Sequence, residues 1–288
     1  LDQLPVILAS ATPSLESWVN AGKTGLSPRY RYLALPKRVH NAQLPIITAI
    51  NLRKTPPERG RWLAPPLVDA ISARLEIGEQ TLLFLNRRGF APLTLCGACG
   101  VKLTCPNCDS WMVAHRLVGV MRCHHCGHES RPSNDCSVCG SKDSMQACGP
   151  GVERLAEEVL WRFPDARFAI LSSDTVATPK AADAFIQSVC EGEVDIIIGT
   201  QMVAKGHHFP HLTLVGVVDA DLGLAGGDLR AAERTFQMLS QVAGRAGRES
   251  RPGMAMLQTL EPDNPVLGSL IAGDRDAFLA QEATARLT

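Results

Sequence analysis

The chain carries no net charge and no long apolar run. Its 288 residues hold 29 Lys and Arg against 29 Asp and Glu, so bulk electrostatics points to no acidic or nucleic-acid partner, and any charged footprint is local. No stretch approaches the roughly 18 apolar residues of a membrane span. A basic, then apolar, then small-residue leader is also missing, so neither membrane insertion nor secretion is expected. The chain lacks a nucleotide-binding P-loop as well. Gly22-Lys23-Thr24 has the right triplet, but a P-loop needs another Gly five residues before the Gly-Lys, a strand before it and a helix after it. Position 17 is Ser17, the triplet follows a helical pattern, and Pro28 blocks a continuing helix. It reads as a solvated helix exit. No Asp-Glu pair follows a strand to hold magnesium. The chain is therefore not expected to hydrolyse ATP alone. It opens at Leu1 in what looks like a strand already under way, so it is expected to be a piece of something longer.

What is present is a soluble, globular composition, 45% hydrophobic and 20% charged. Residues 4–11 read as an apolar strand, followed by a short helix in "TPSLESWVNAG". Residues 27–66 are Pro- and Arg-rich, poorly periodic and linker-like. After them come a helix in "LAPPLVDAISARLEIGE" and a buried strand in "QTLLFLNRRGF". Beyond a cysteine-rich block, helices in "GVERLAEEVLWRFP", "KAADAFIQSVCEGE" and "RAAERTFQMLSQVAGRAG" alternate with strands in "ARFAILSS", "VDIIIGT", "LTLVGVVDAD" and "GMAMLQTL". Apolar strands alternating with helices of 10–15 residues imply a parallel sheet covered by helices, with "IIIG" and "LVGVV" buried on both faces.

Eight of the ten cysteines form four Cys-x-x-Cys pairs: Cys96/Cys99, Cys105/Cys108, Cys123/Cys126 and Cys136/Cys139. That spacing suits zinc rather than disulfides and implies a reducing compartment. Eight thiolates make two tetrahedral four-sulfur sites. The pairs can join in sequence or nested. The nested arrangement is favoured, because a hairpin turning near Val118-Gly119 brings Cys105/Cys108 against Cys123/Cys126, and Cys96/Cys99 and Cys136/Cys139 close around it. His115, His124, His125 and His128 are then not needed as ligands, and Cys148 and Cys190 are ordinary. Closed four-sulfur shells leave no position for a catalytic water, so the zinc is expected to be structural.

Three further stretches belong together. "QVAGRAGR" (241–248) closes a helix with Arg245 and Arg248, guanidinium groups of the kind that stabilise phosphoryl transfer, and Gly244 and Gly247 leave its turn bare. Ser10-Ala11-Thr12 follows the first strand, and "GTQMVAKGHHFP" follows "VDIII". These resemble, in that order, the sixth, third and fifth motifs of superfamily 2 helicases. With "LLFLNRRGFAP" running directly into the cysteines and "GPGVERL" beyond them, the chain resembles, from residue 4 to about 260, the primosomal protein N′ (PriA) family of replication-restart helicases. Its Ser172-Ser173-Asp174-Thr175 departs from relatives that are often more acidic there.

The resemblance implies a RecA-like lobe with an inserted, double zinc ribbon-like domain. Residues 1–26 would end a first RecA-like lobe, and 27–95 would be the linker and the start of the second. Residues 96–140 would form the zinc insertion, 141–273 the rest of the second lobe, and 274–288 the start of a C-terminal region. In the full-length protein it implies ATP-dependent 3′→5′ DNA helicase activity with ATP and Mg2+, two Zn2+, forked and single-stranded DNA, primosome proteins, single-stranded DNA-binding protein, and the cytoplasm. Arg248 would be the arginine finger, with Arg245 and Gln241 near phosphate or the catalytic water. Thr200, Lys205 and Gly206 would grip the DNA backbone and sense nucleotide. Ser10 and Thr12 would link hydrolysis to lobe movement. Asn86, Arg87 and Arg88 would lie on DNA or a lobe interface. Asp219, Asp221, His207 and His208 are expected to be structural. The alternatives are a zinc-ribbon binding module without ATPase chemistry, against which the arginines and "GTQMVAKG" speak, and a zinc-dependent hydrolase, against which the closed thiolate shells speak.

Overall fold

A computed structural model describes residues 6–25, 27–35, 43–86, 93–96, 99, 101, 103–108, 110, 112–115, 120–123, 125–148, 152–171, 178–204, 209–224, 228–247 and 251–287. Two sheets organise them. The larger has six strands in the order β1 (Ile46–Asn51), β11 (Met254–Thr259), β10 (Leu212–Val217), β2 (Gln80–Phe84), β9 (Ile196–Gly199) and β8 (Phe168–Leu171). Every pairing in it is parallel.

The central strands β2, β9 and β10 are buried along their whole length. Their side chains alternate between two cores, as the two-residue period of a strand requires. Leu82, Phe84, Ile197, Val215 and Val217 face one cluster, and Leu83, Ile196, Ile198 and Leu214 the other. Helices α2 (Pro65–Glu76) and α3 (Val152–Arg162) cover the second cluster, through Leu67, Ile71, Leu155 and Val159. The first cluster is covered by α1 (Leu15–Asn20), α4 (Pro179–Cys190), α5 (Ala231–Ala243), α6 (Pro265–Ala272) and α7 (Arg275–Leu287). This is the expected α/β architecture, a parallel sheet covered by helices on both faces.

The smaller sheet is antiparallel, in the order β6 (Glu129–Ser130), β5 (Val120–Cys123), β4 (Met112–His115), β3 (Leu93–Cys96) and β7 (Met145–Cys148). The chain enters it on β3 and leaves on β7, which pair side by side, with Leu93 opposite Cys148 and Cys96 opposite Met145. The cysteine block is thus an insertion with one two-stranded neck.

Two expectations fail. Residues 6–10 make no strand, and Val6, Ile7 and Leu8 are exposed. An apolar strand without a ladder partner does not persist, and the described lobe offers it no place. Residues 46–51, read as linker, form the edge strand β1. Among the described residues only one side of β1 is paired, and two of its six side chains, Ile46 and Thr48, are exposed, so it has no continuous buried run to announce it.

Candidate metal centres and motif-bearing face

The insertion is built on one local device used four times. The amide of each leading cysteine donates to the carbonyl five residues on: Cys96 to Val101, Cys105 to Ser110, Cys123 to His128 and Cys136 to Ser141, at 2.7–3.0 Å. Gly127 and Gly140, each directly after a second cysteine, take left-handed φ of 77° and 69°, where a Cβ would be strained. Amides turn inward as well: Cys99 N–H points to Cys96 Sγ at 3.5 Å, Asn107 N–H to Cys105 Sγ at 3.4 Å and Cys139 N–H to Cys136 Sγ at 3.5 Å. Such donors favour thiolate.

The knuckles meet in the nested pairing. Cys96, Cys99, Cys136 and Cys139 form one group, and Cys105, Cys108, Cys123 and Cys126 the other, with all sulfurs of a group within 4.8 Å of one another. Cross-knuckle separations are 3.6 and 3.8 Å in the first group and 3.5 and 3.4 Å in the second. Four sulfurs about 2.3 Å from a tetrahedral ion stand about 3.8 Å apart, so both groups can hold zinc. Disulfide sulfurs would approach to about 2.05 Å.

Electrostatics within each group also asks for a cation. The Cys126 amide holds the Cys123 thiol down to about 6, against desolvation. At Cys126 the His128 amide pulls the same way, but desolvation and the facing thiols of Cys105, Cys108 and Cys123 push it up to about 12. At Cys139 the Ser141 amide is likewise outweighed, first by Cys99 and Cys136, and the thiol rises to about 12. Four thiolates cannot coexist at these distances unless positive charge joins them. His125 and His128 belong to neither ligand group. Burial pushes the Cys190 thiol up, as for a small core residue.

The helicase-like motifs converge on α5. Glu233, Gln237 and Gln241 stand four apart, on one stripe of the helix. Glu233 Oε1 accepts from Leu15 N–H at 2.9 Å, Gln237 Nε2 donates to Pro13 O at 3.1 Å, and Gln241 Nε2 donates to Thr12 Oγ1 at 2.8 Å. Ser10 Oγ accepts from Thr12 N–H at 3.1 Å. From α7, Arg275 Nη1 donates to Ala11 O at 3.0 Å. Of the residues on α5 and α7 that hold this segment only Gln241 was singled out from sequence; the four-residue spacing of Glu233, Gln237 and Gln241 is the signal that could have found the other two on α5.

Thr200 directly follows β9 and opens a 3-10 turn over Gln201–Ala204, where Val203 N–H donates to Thr200 O at 3.0 Å. Gly199 is needed there, because a Cβ would lie 2.3 Å from Val203 Cγ1. Asn86 is buried at the carboxyl end of β2, beside Gly223, whose Cβ would lie 2.5 Å from Asn86 Nδ2. Both stand at the sheet edge where parallel α/β folds bind ligands. Arg245 is only 4% exposed. Gly247 takes φ +66°, and the space beside it is filled by Gly253 backbone, with N 2.3 Å from a Cβ position. At Gly247 the missing side chain therefore serves close packing against Gly253. Arg87, Arg88, Lys205, Gly206, His207, His208, Arg248 and residues 172–175 lie outside the described residues. Asp219 and Asp221 cap the strand end: Asp219 Oδ1 accepts from the Asp221 and Leu222 amides at 3.0 Å, and Asp221 Oδ2 from Leu260 N–H at 2.7 Å.

Lys23 forms an ion pair with Asp276 at 3.8 Å and stands 4.2 Å over the Tyr32 ring. It follows a helix and Gly22 has φ 79°, so no phosphate cradle surrounds it.

Residues 105–131 match the family described as the PriA DNA helicase Cys-rich region (CRR) domain. The chain is 44% identical over 285 residues to replication restart protein PriA of Rickettsia conorii, covering 99% of this chain and 43% of that protein. It is 38% identical to replication restart protein PriA of Bacillus subtilis, covering 98% of this chain and 34% of that one. Among solved structures, S. cerevisiae Dbp5 bound to RNA and ADP BeF3 aligns at 14% identity and TM-score 0.42, over 94% of this chain and 48% of that one. The chain thus spans less than half the length of the curated relatives it matches. Among the described residues, no helix is long and apolar enough to cross a membrane.

Proposed function

The 288 residues correspond to a segment of a replication restart protein of the PriA family, and from that premise we propose that they supply the second motor lobe and the zinc insertion of an ATP-dependent 3′→5′ DNA helicase. One observation carries the reading: in a chain so similar to PriA, Thr12 of the Ser-Ala-Thr segment meets Gln241 of "QVAGRAGR" at 2.8 Å. These two motifs have a reason to touch if they relay nucleotide state between lobes.

In this reading residues 1–26 end the first lobe, 27–95 are the linker and the start of the second, 96–140 the insertion, 141–273 the rest of the lobe, and 274–288 the start of a C-terminal region. The P-loop and the magnesium-binding acid lie upstream, so ATP and Mg2+ bind between lobes. Arg248 delivers charge to the transferred phosphoryl group when the lobes close. Gln241 and Thr12 couple that closure to the sheet, and Arg245, enclosed in the described state, shapes the turn that carries Arg248. Thr200 and Asn86, at the carboxyl edge of the sheet, contact DNA through its backbone together with Lys205, Gly206 and Arg87, which gives affinity without reading sequence. Two Zn2+ are held by the two cysteine groups and scaffold the insertion. The partners are forked and single-stranded DNA, primosome proteins and single-stranded DNA-binding protein, in the cytoplasm.

The test is ATP-dependent unwinding of a forked duplex by the full-length protein. Unwinding that needs hydrolysis supports the motor. DNA or protein binding without hydrolysis would instead support a zinc-ribbon module.

A further inference from the structure

Glu233 is a carboxylate at 2% exposure, outside every motif considered above. Three groups from three helices converge on it. Leu15 N–H of α1 donates to Oε1 at 2.9 Å, Gln237 Nε2 of α5 to the same oxygen at 3.3 Å, and Arg286 Nη2 of α7 to Oε2 at 2.7 Å. Around this point α7 lies on α5 through the Phe236–Phe278 ring stack, with centroids 4.2 Å apart. Arg230 of the α5 N-terminus pairs with Glu16. Leu15 and Trp18 are each 5% exposed, in the lobe's own core.

Helix α1 has six residues, too few to persist in water without docking. What orders it is therefore its seat on α5 and α7, and Glu233 holds its first turn. A buried charge is costly once its partner is removed, so the seat depends on Glu233 and Arg286 together. We propose that Glu233 and Arg286 form a latch that fixes the segment bearing Ser10 and Thr12 to this lobe, and that they act as positioning residues for coupling. Residues 10–23, although they end the first lobe in the chain order proposed above, then move with the second lobe, and any displacement relative to a nucleotide-holding lobe is taken up before Ser10. The coupling role rests on the helicase reading; the latch itself does not.

Hydrogen exchange on the 288-residue chain, purified with zinc, tests the latch. Glu233→Gln should speed exchange of the α1 amides about ten- to a hundredfold, the equivalent of one hydrogen bond to a charged group, while β9 and β10 amides keep their protection. Arg286→Met, at a side chain 24% exposed, should do the same if Glu233→Gln fails to fold, and Arg286→Lys should restore much of the protection. Unchanged α1 exchange overturns the latch. In the full-length protein, Glu233→Gln should leave the KM for ATP alone and lower base pairs unwound per ATP about two- to thirtyfold, the range for residues that transmit coupling without touching a ligand. A wild-type ratio with a loosened α1 overturns the coupling role. A full-length protein that neither hydrolyses ATP on DNA nor unwinds it overturns the helicase reading and the coupling role with it, while the exchange result still decides the latch.

Discussion

Gln241 donates a 2.8 Å hydrogen bond to the hydroxyl of Thr12 across 229 positions of chain. The pair is exposed, so its worth to folding is small, about 1 kcal/mol or less. In the proposed function this solvent-facing bond serves coupling between motifs rather than stability.

Gln241→Ala and Thr12→Val should each leave the melting temperature of the chain nearly unchanged. In the full-length protein each should lower DNA-stimulated ATP turnover about five- to a hundredfold, as expected when a coupling free energy is lost, with the KM for ATP little altered. The double variant should be no worse than either single one. Fully additive losses would mean that the bond is incidental.

Zinc should be present at two ions per chain. Cys105→Ser should remove one ion and unfold the β4–β5 hairpin, because Cys105, Met112, Met121 and Cys123 are the buried centre of that subdomain and metal binding supplies its folding free energy. Cys136→Ser should remove the other. In both variants the six-stranded sheet should keep its exchange protection, since the insertion joins it through β3 and β7 alone. One ion in the wild-type chain would refute the pairing by fours.

The zinc pairing was legible in sequence because Cys-x-x-Cys spacing is a local device, and a hairpin between the inner pairs leaves the outer pairs to close around it. The central strands were legible for a similar reason: burial on both faces of β2, β9 and β10 demands continuous apolar runs. Strand β1 was not, because an edge strand partly in water has neither a continuous buried run nor a long alternation. Neither was the role of Glu233 and Gln237, although their spacing from Gln241 was in view. A four-residue stripe says which side chains share a face and nothing of what docks there, and the docked residues lie more than two hundred positions away. The burial of Arg245 follows from a turn closed by Gly247 against Gly253, a tertiary contact invisible to local pattern.

The chain alone should show no ATP turnover above background, and Lys23→Ala should change nothing in that assay. Lys23 is engaged with Asp276 and Tyr32 at a helix exit. Turnover that disappears with Lys23 would establish a phosphate site there after all.

Acid should weaken the join between β8 and β9. Burial works against the Asp195 charge, but the Arg167 side chain, bonded at 2.6 and 3.0 Å, and the Arg167 amide outweigh it and hold its carboxyl below the usual range. A depressed folded pKa contributes stability that is present above the unfolded value, near 3.9, and is lost as pH falls through the folded value. Asp195→Asn should therefore lower the melting temperature slightly at pH 7 and not at pH 2. The effect is small because Arg167 is 58% exposed. An equal loss at both pH values would point to packing rather than charge.

Arg248→Ala in the full-length protein should abolish DNA-stimulated hydrolysis and spare ATP binding. In the proposed reading Arg248 serves a phosphoryl-transfer site whose nucleotide is held by other residues of the full-length protein, so the nucleotide can bind without Arg248. Hydrolysis needs charge brought across the cleft once DNA draws the lobes together, and such an arginine contributes about 10³–10⁵ in rate. Arg245 is a poor substitute while it stays enclosed at 4% exposure, so the loss should not be shared between the two. Arg248→Lys should also fail, because a point charge does not reproduce the planar fork. Arg245→Ala should instead lower thermal stability, since it empties a buried position. Nucleotide affinity, DNA-stimulated turnover and melting temperature, measured on the same preparations, separate the two residues. Near-normal turnover in Arg248→Ala together with its loss in Arg245→Ala, at unchanged stability, would transfer the role to Arg245.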